Sequence, residues 1–339
     1  MLPPEQPSRA HCFLPPPALL VFYDASVPHN GIPPSSRVAS VALDSCSPDQ
    51  VVRSQTLRRL AFFVSTRYSR SGEISDLETA ILLSRDALEF CLEGHPDQSL
   101  LYYNLASFLL TRFNRSRGME DLDEAISLHR IALELRPEGH PCRFESLNNL
   151  AASLSTRFLN AGRMEDLEEA IILSRAALRL LPEGHANRFT LLNNIASSVS
   201  ARFRHSGRLT DLEEAITLSR IALDLLPVGH SDRFALLSNL AASVSTRFNH
   251  GGRTEDLEEA ISLRQASLVL LPEGHPVRPV LLSGLASELS TQFQLKGRTE
   301  DLEEAITFTR ASLEFVPESD LQHPILLGSL AGSLVVRFN

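Results

Sequence analysis

The sequence predicts an all-α solenoid of helix-turn-helix units, and three observations carry that expectation. A segment opening at Leu147 and closing at His185 returns, slightly altered, at a step of 45 residues, so that Ala-Ile stands at 80/81, 125/126, 170/171, 215/216, 260/261 and 305/306. Gly-His closes the unit at 94/95, 139/140, 184/185, 229/230 and 274/275. Each unit carries two stretches with apolar residues at helical spacing, and no strand pattern is visible beyond the short run Leu19 to Tyr23. A period of roughly 20–50 residues marks units that cannot bury their apolar faces alone, so that stacking supplies the core.

Taken in order, residues 1–50 differ from the rest. Ten of the twenty prolines lie there, including Pro15-Pro16-Pro17 and Pro33-Pro34. That density forbids helix and reads as a disordered or polyproline-like leader, a solvated tail in preference to a ligand for SH3 or WW modules. Over residues 51–339 the repeat array begins. In its third unit Leu147, Leu150, Ala151, Leu154 and Phe158 make the apolar stripe of a first helix, A. Leu167, Ala170, Ile171, Ser174, Ala177, Leu178 and Leu181 make that of a second, B, with small residues that admit a close neighbour. Gly162 separates the two. Asp166 with Glu169 fits a capping box at the start of B, with Thr254 or Thr299 as alternative N-caps in later units. Pro182-Glu183-Gly184 stops B and offers a left-handed C-cap. Six such pairs precede a lone A-type helix from about Pro324 to Phe338, compatible with a terminal cap or with the edge of a longer array.

Composition narrows the function. The formal net charge is -9, against the cationic surplus that phosphate binding needs, so no nucleic-acid partner is expected. Cys12, Cys46, Cys91 and Cys142 are not read as a disulfide or zinc framework but as free thiols of an intracellular protein, cytoplasmic or nuclear. No apolar run approaches the roughly 18 residues that span a bilayer, and Asp24 interrupts the only N-terminal apolar stretch.

The spacing Ala170, Ala177, Pro182, repeated as Ala215, Ala222, Pro227, resembles the Ala-x6-Ala-x4-Pro signature of the tetratricopeptide repeat family. The unit is longer than that family's usual 34 residues, and the extra length is expected in the A–B connection and in the joint between repeats. This long form, with LNNLA in helix A, is similar to the kinesin-light-chain type and to arrays that precede a caspase-like CHAT domain in fungal proteins. The resemblance covers about residues 51 to 338 and implies a right-handed superhelix whose A helices line a concave groove. It departs in having no tryptophan and few tyrosines, and nothing like a CHAT domain follows, so no protease chemistry transfers.

Candidate binding residues then fall on helix A. The second Asn of LNNLA recurs as Asn104, Asn149, Asn194 and Asn239, then becomes Gly284 and Ser329. Groove asparagines of similar repeats hold the backbone of an extended peptide, for which an amide offers both donor and acceptor; the same amides can instead order the stack. Ser153 and Thr156 are expected on the same polar face. Arg112, Arg157, Arg202 and Arg247 belong to a series with Arg67 and Arg337 that Gln292 interrupts. They suit a carboxylate ligand, or a structural ion pair with the DLEE acids, the reading preferred. The five histidines of Gly-His are expected to bond loop carbonyls, because one ligand per repeat cannot converge on a metal. No nucleophile arrangement, phosphate loop, metal or cofactor site is expected. The reading is a non-enzymatic scaffold for a peptide or protein partner. The alternative is a regulatory arm of a larger CHAT or nucleotide-switch protein, and end-to-end self-association through apolar end helices is a third possibility.

Overall fold

The computed structural model describes residues 49–317, 319–320 and 322–338, and the expected leader lies almost wholly outside them. The described residues form thirteen helices and no strand: α1 Gln50–Ser71, α2 Ile74–Glu89, α3 Gln98–Ser116, α4 Met119–Glu134, α5 Arg143–Ala161, α6 Met164–Leu180, α7 Arg188–Ser206, α8 Leu209–Asp224, α9 Arg233–Gly251, α10 Thr254–Val269, α11 Arg278–Lys296, α12 Thr299–Leu313 and α13 Gln322–Phe338. Odd-numbered helices are of the A type and even-numbered ones of the B type. The described residues divide into two compact units, one ending at residue 146 and one beginning at residue 147.

In the first unit α1 packs on α2, α2 on α3 and α3 on α4. Leu57, Leu60 and Val64 of α1 meet Leu83 and Ala87 of α2 and Leu101 of α3. One step on, Leu77 and Ile81 meet Leu105, Leu109 and Ala125. The second unit repeats the motif three times. Leu167 and Ile171 pack on Ile195, Val199 and Ala215, Leu212 and Ile216 on Leu240, Val244 and Ala260, and Leu257 and Ile261 on Leu285, Leu289 and Ala305. In these last four clusters a B helix (α2, α6, α8 or α10) inserts a Leu/Ile pair between the next A helix and an alanine of the next B helix. Those alanines, from Ala80 to Ala305, are wholly buried. A larger side chain there would force the helices apart, at about 1–3 kcal/mol.

Three local expectations need correction. The extra length is not in the A–B connection: only Gly207 and Arg208 separate α7 from α8, and the helices themselves run 19 and 16 residues. Gly207 makes the short connection possible, because its φ of 70° ends α7 in the left-handed region while its N–H reaches the Phe203 carbonyl. Arg117 holds that role in the second repeat at φ 59°, the one described non-glycine residue with positive φ. Asp166 is not an N-cap, since α6 starts two residues earlier, after Arg163, and no side chain caps it. Gly184 is not the C-cap of α6 either: that position is Leu181, and Gly184, at φ 83°, belongs to the separate Pro-Glu-Gly turn closed by His185 N–H on the Pro182 carbonyl.

Candidate functional site

The displaced cap explains the arginine series. Burying Asp166 in the first turn of α6 brings its carboxylate to Arg157 of α5, and both guanidinium contacts are 2.7 Å. The same two-point pairing joins Arg112 to Asp121 at 2.8 and 2.6 Å, Arg202 to Asp211 at 3.0 and 2.8 Å, and Arg247 to Asp256 at 3.1 and 2.8 Å. Arg202 and Arg247 also donate to Glu168 and Glu213 of the preceding repeat at 3.1 and 3.0 Å. The hydrogen bond from Arg202 to Asp211 raises the guanidinium pKa, with burial opposing it. Each candidate arginine is therefore engaged by the helix that follows it. Such clamps fix the angle between A and B with charge-assisted bonds.

The asparagines form a ladder in the second unit. Asn194 donates to Asn148 at 3.0 Å, and Asn239 donates to Asn193 at 2.9 Å, each reaching back one repeat. Asn148 donates in turn to Asn149 at 3.3 Å. All five are half-buried. The Oδ1 atoms of Asn194 and Asn239 have no hydrogen-bond partner among the described residues. The first Asn of each LNN pair, at 148 and 193, thus accepts from the second Asn one repeat on, a partnership that its recurrence in the sequence signals. In the first unit Tyr103 stands in that place and Asn104 is half-buried on α3. Ser153 does not share the polar face: it is wholly buried and its hydroxyl donates to the Asn149 carbonyl at 2.9 Å.

The ladder stops for a visible reason. Arg264 occupies the position of Ser174 and Ser219 and donates from Nε to both oxygens of the buried Glu288 at 2.9 Å. Burial raises the Glu288 pKa and the Arg264 charge opposes the rise. A Cβ on Gly284 would lie 2.6 Å from the Arg264 guanidinium carbon. An asparagine there would displace the Arg264 guanidinium from Glu288, and one repeat back Ser238 stands where Asn148 and Asn193 supply the acceptor. In the same repeat Gln292 replaces the clamp arginine, and the buried Oδ2 of Asp301 is left without a hydrogen bond.

The second repeat has its own irregularity. His129, at the serine position of helix B, is wholly buried on α4 with neither ring nitrogen hydrogen-bonded. Its ring meets Tyr103 edge-on at 5.8 Å, and the guanidinium of Arg136 lies 5.0 Å over the same tyrosine. Arg136, itself 2% exposed, donates to the hydroxyls of Ser99 and Ser146 at 3.3 and 2.8 Å and to the Cys142 carbonyl at 3.2 Å. Burial, followed by the Arg136 charge, lowers the His129 pKa to about 4.

The Gly-His histidines do sit at the joints, but as acceptors. Nδ1 of His95, His140, His185, His230 and His275 each receives the backbone N–H two residues ahead at 3.1–3.2 Å, in place of the expected bond to a carbonyl. Phe189 and Phe234 meet the rings of His230 and His275 edge-on, tying successive joints together. Among the described residues no group of three or more His, Cys, Asp or Glu is placed to hold a metal. No described helix is long and apolar enough to cross a membrane.

Paired helices, a left-handed turn between them and an alanine-lined B stripe give the described residues a tetratricopeptide-like repeat fold. A tetratricopeptide repeat family model matches residues 144–182, one helix pair of this array. No curated protein matches the sequence. Among solved structures, the C-terminal part of a TPR repeat-containing protein from Cytophaga hutchinsonii is similar at TM-score 0.52 and 11% identity, over 86% of this chain and 94% of that one. Yeast Tom70 is similar at TM-score 0.50 and 17% identity, over 89% of this chain and 58% of that one. A putative kinesin light chain from Podosopora anserina with nearly identical TPR-like repeats scores 0.47 at 18% identity, over 64% of this chain and 97% of that one. At these identities the likeness to the first two concerns the fold alone.

Proposed function

We infer that this chain is a non-catalytic interaction scaffold whose A helices hold an extended segment of a partner protein, in the cytoplasm or nucleus. The observation that carries the reading is the amide ladder of Asn148, Asn149, Asn193, Asn194 and Asn239. Pairing between repeats fixes the amide planes, and the unpartnered Oδ1 atoms of Asn194 and Asn239 are acceptors for peptide N–H groups. Amides held in place before binding lose little side-chain freedom when a ligand arrives. The clamp arginines position the helices that present the ladder. Asn104 belongs to the same series one repeat earlier.

The test is paired affinity capture, with the intact array and the double variant Asn149→Ala/Asn194→Ala as baits and mass spectrometry as readout. Loss of the bound protein from the variant, with a cooperative melt lowered by no more than the loss of the ladder bond accounts for, supports the reading. Retention of the same protein by a folded variant removes the ladder from recognition. Deleting the ladder bond costs about 1 kcal/mol, so the melt separates lost binding from lost fold.

A further inference from the structure

The loops that join A to B helices in the second unit are cationic, against the -9 of the chain. Arg163, Arg208, Arg253 and Arg298 recur there every 45 residues and are all exposed. Unlike the clamp arginines, Arg163, Arg208 and Arg253 make no side-chain hydrogen bond or ion pair among the described residues. Positive charge is concentrated in residues 204–210, the end of α7, its two-residue connection and the start of α8, which hold Arg204 and Arg208 and no acid, whereas Glu165, Glu255 and Glu300 follow the arginine of the other three connections.

A cleft of about 270 Å³ opens beside that loop, lined by Phe158, Leu159, Ala201, Arg204 and His205. One repeat on, Phe203 and His250 stand where Phe158 and His205 do, with ring centroids 5.1 Å apart. Thr246 there replaces Ala201, as Thr156 and Thr291 do in other repeats. The missing side-chain atoms at Ala201 therefore sit where the cleft is. Leu159 is 68% exposed at its rim, a residue the stack does not use.

We propose that this edge is a second docking surface, separate from the A-helix groove, for an extended acidic segment of a partner protein. One apolar side chain of the segment sits between Phe158 and Ala201, and carboxylates meet Arg204 and Arg208. Neighbouring helices lie about 8–10 Å apart and an extended chain rises about 3.3 Å per residue. Every third residue of the segment thus faces a successive loop, and acids at that spacing follow the arginine row. A nucleic acid fits less well, because its evenly spaced phosphates would meet Glu165 and Glu255 as well as the arginines.

The probe is a short fluorescein-labelled peptide with glutamate at every third position and one central leucine, compared with its glutamine counterpart, single-stranded DNA and phosphatidylserine vesicles. Fluorescence anisotropy should show binding of the glutamate peptide that weakens with added salt. The double variant Arg204→Glu/Arg208→Glu should weaken it about tenfold or more, and Ala201→Thr, which fills the cleft with a residue other repeats tolerate, should weaken it with an unchanged melt. The variant Asn194→Ala/Asn239→Ala should bind the probe as the parent does, which keeps this surface distinguishable from the groove. Equal binding of the glutamine peptide, indifference to either loop variant, or tighter binding of DNA or vesicles overturns the proposal.

Discussion

Replacing His129 by serine, the residue at the equivalent position of three other repeats, should remove an acid-sensitive weak point from the first unit. The imidazole is sealed between Tyr103 and the helix core with neither nitrogen bonded, so the folded state holds it neutral. Its pKa is lowered from 6.5 to about 4 by burial and then by the Arg136 charge. In the unfolded chain the same ring takes up a proton below about pH 6.5, so the unfolded state binds more protons and gains as pH falls. The stability contribution is complete above that pH, declines as pH falls from 6.5 to 4, and levels off below. At about 1.4 kcal/mol per pKa unit the loss is about 2 kcal/mol at pH 5 and about 3 kcal/mol at pH 4. Hydrogen exchange of peptides from α3 and α4, measured at pH 7 and pH 5 on parent and His129→Ser and corrected for intrinsic exchange rates, reads this difference. The parent should lose protection that the variant keeps. An imidazole carbon resonance titrating near pH 6.5 in the folded protein, or equal pH sensitivity of parent and variant, would refute the reasoning.

Two further substitutions test the turn and the clamp. Arg117→Gly relieves a left-handed conformation at φ 59° and should stabilise the first unit by about 1 kcal/mol, seen as a higher denaturant midpoint; an unchanged midpoint means that the stacking of Arg117 on Phe113, at 5.8 Å, offsets the strain. Gln292→Arg supplies the guanidinium that Asp301 lacks. It should add about 1–3 kcal/mol and slow exchange in α11 and α12, whereas faster exchange there would show that the site has no room for the longer side chain.

The helix pairs were legible because their signals are local: the apolar stripe, the glycine between helices and the proline after B each act within one turn. The pairing of arginines with DLEE acids was legible as well, since every unit carries both partners. What escaped depends on angle or on distance along the chain. Ser153 falls one position from an exposed face on the helical wheel, and a small rotation of α5 buries it. Asp166 reads as a cap until Arg157, nine residues back, draws it into the interior. The role of Asn148 needs an amide 46 residues away, which no single repeat contains. The joint histidines share a backbone N–H in reach of Nδ1, and only the turn geometry shows that the ring accepts where a donor was expected.

The clamps have a consequence for how such a chain changes size. Each Arg–Asp pair closes within nine residues, and the amide ladder and the Glu168 and Glu213 contacts reach no further than the adjoining repeat. No tie among these skips a neighbour. Excising residues 188–232, or duplicating them, would therefore join helix faces that already match, and the cost would fall on the number of interfaces while each one stayed as it is. Copy number becomes a quantity that a gene can vary without redesigning any contact. The Arg264–Glu288 pair of the second unit, like the buried Arg136 of the first, belongs to one junction and marks a fixed place in the row.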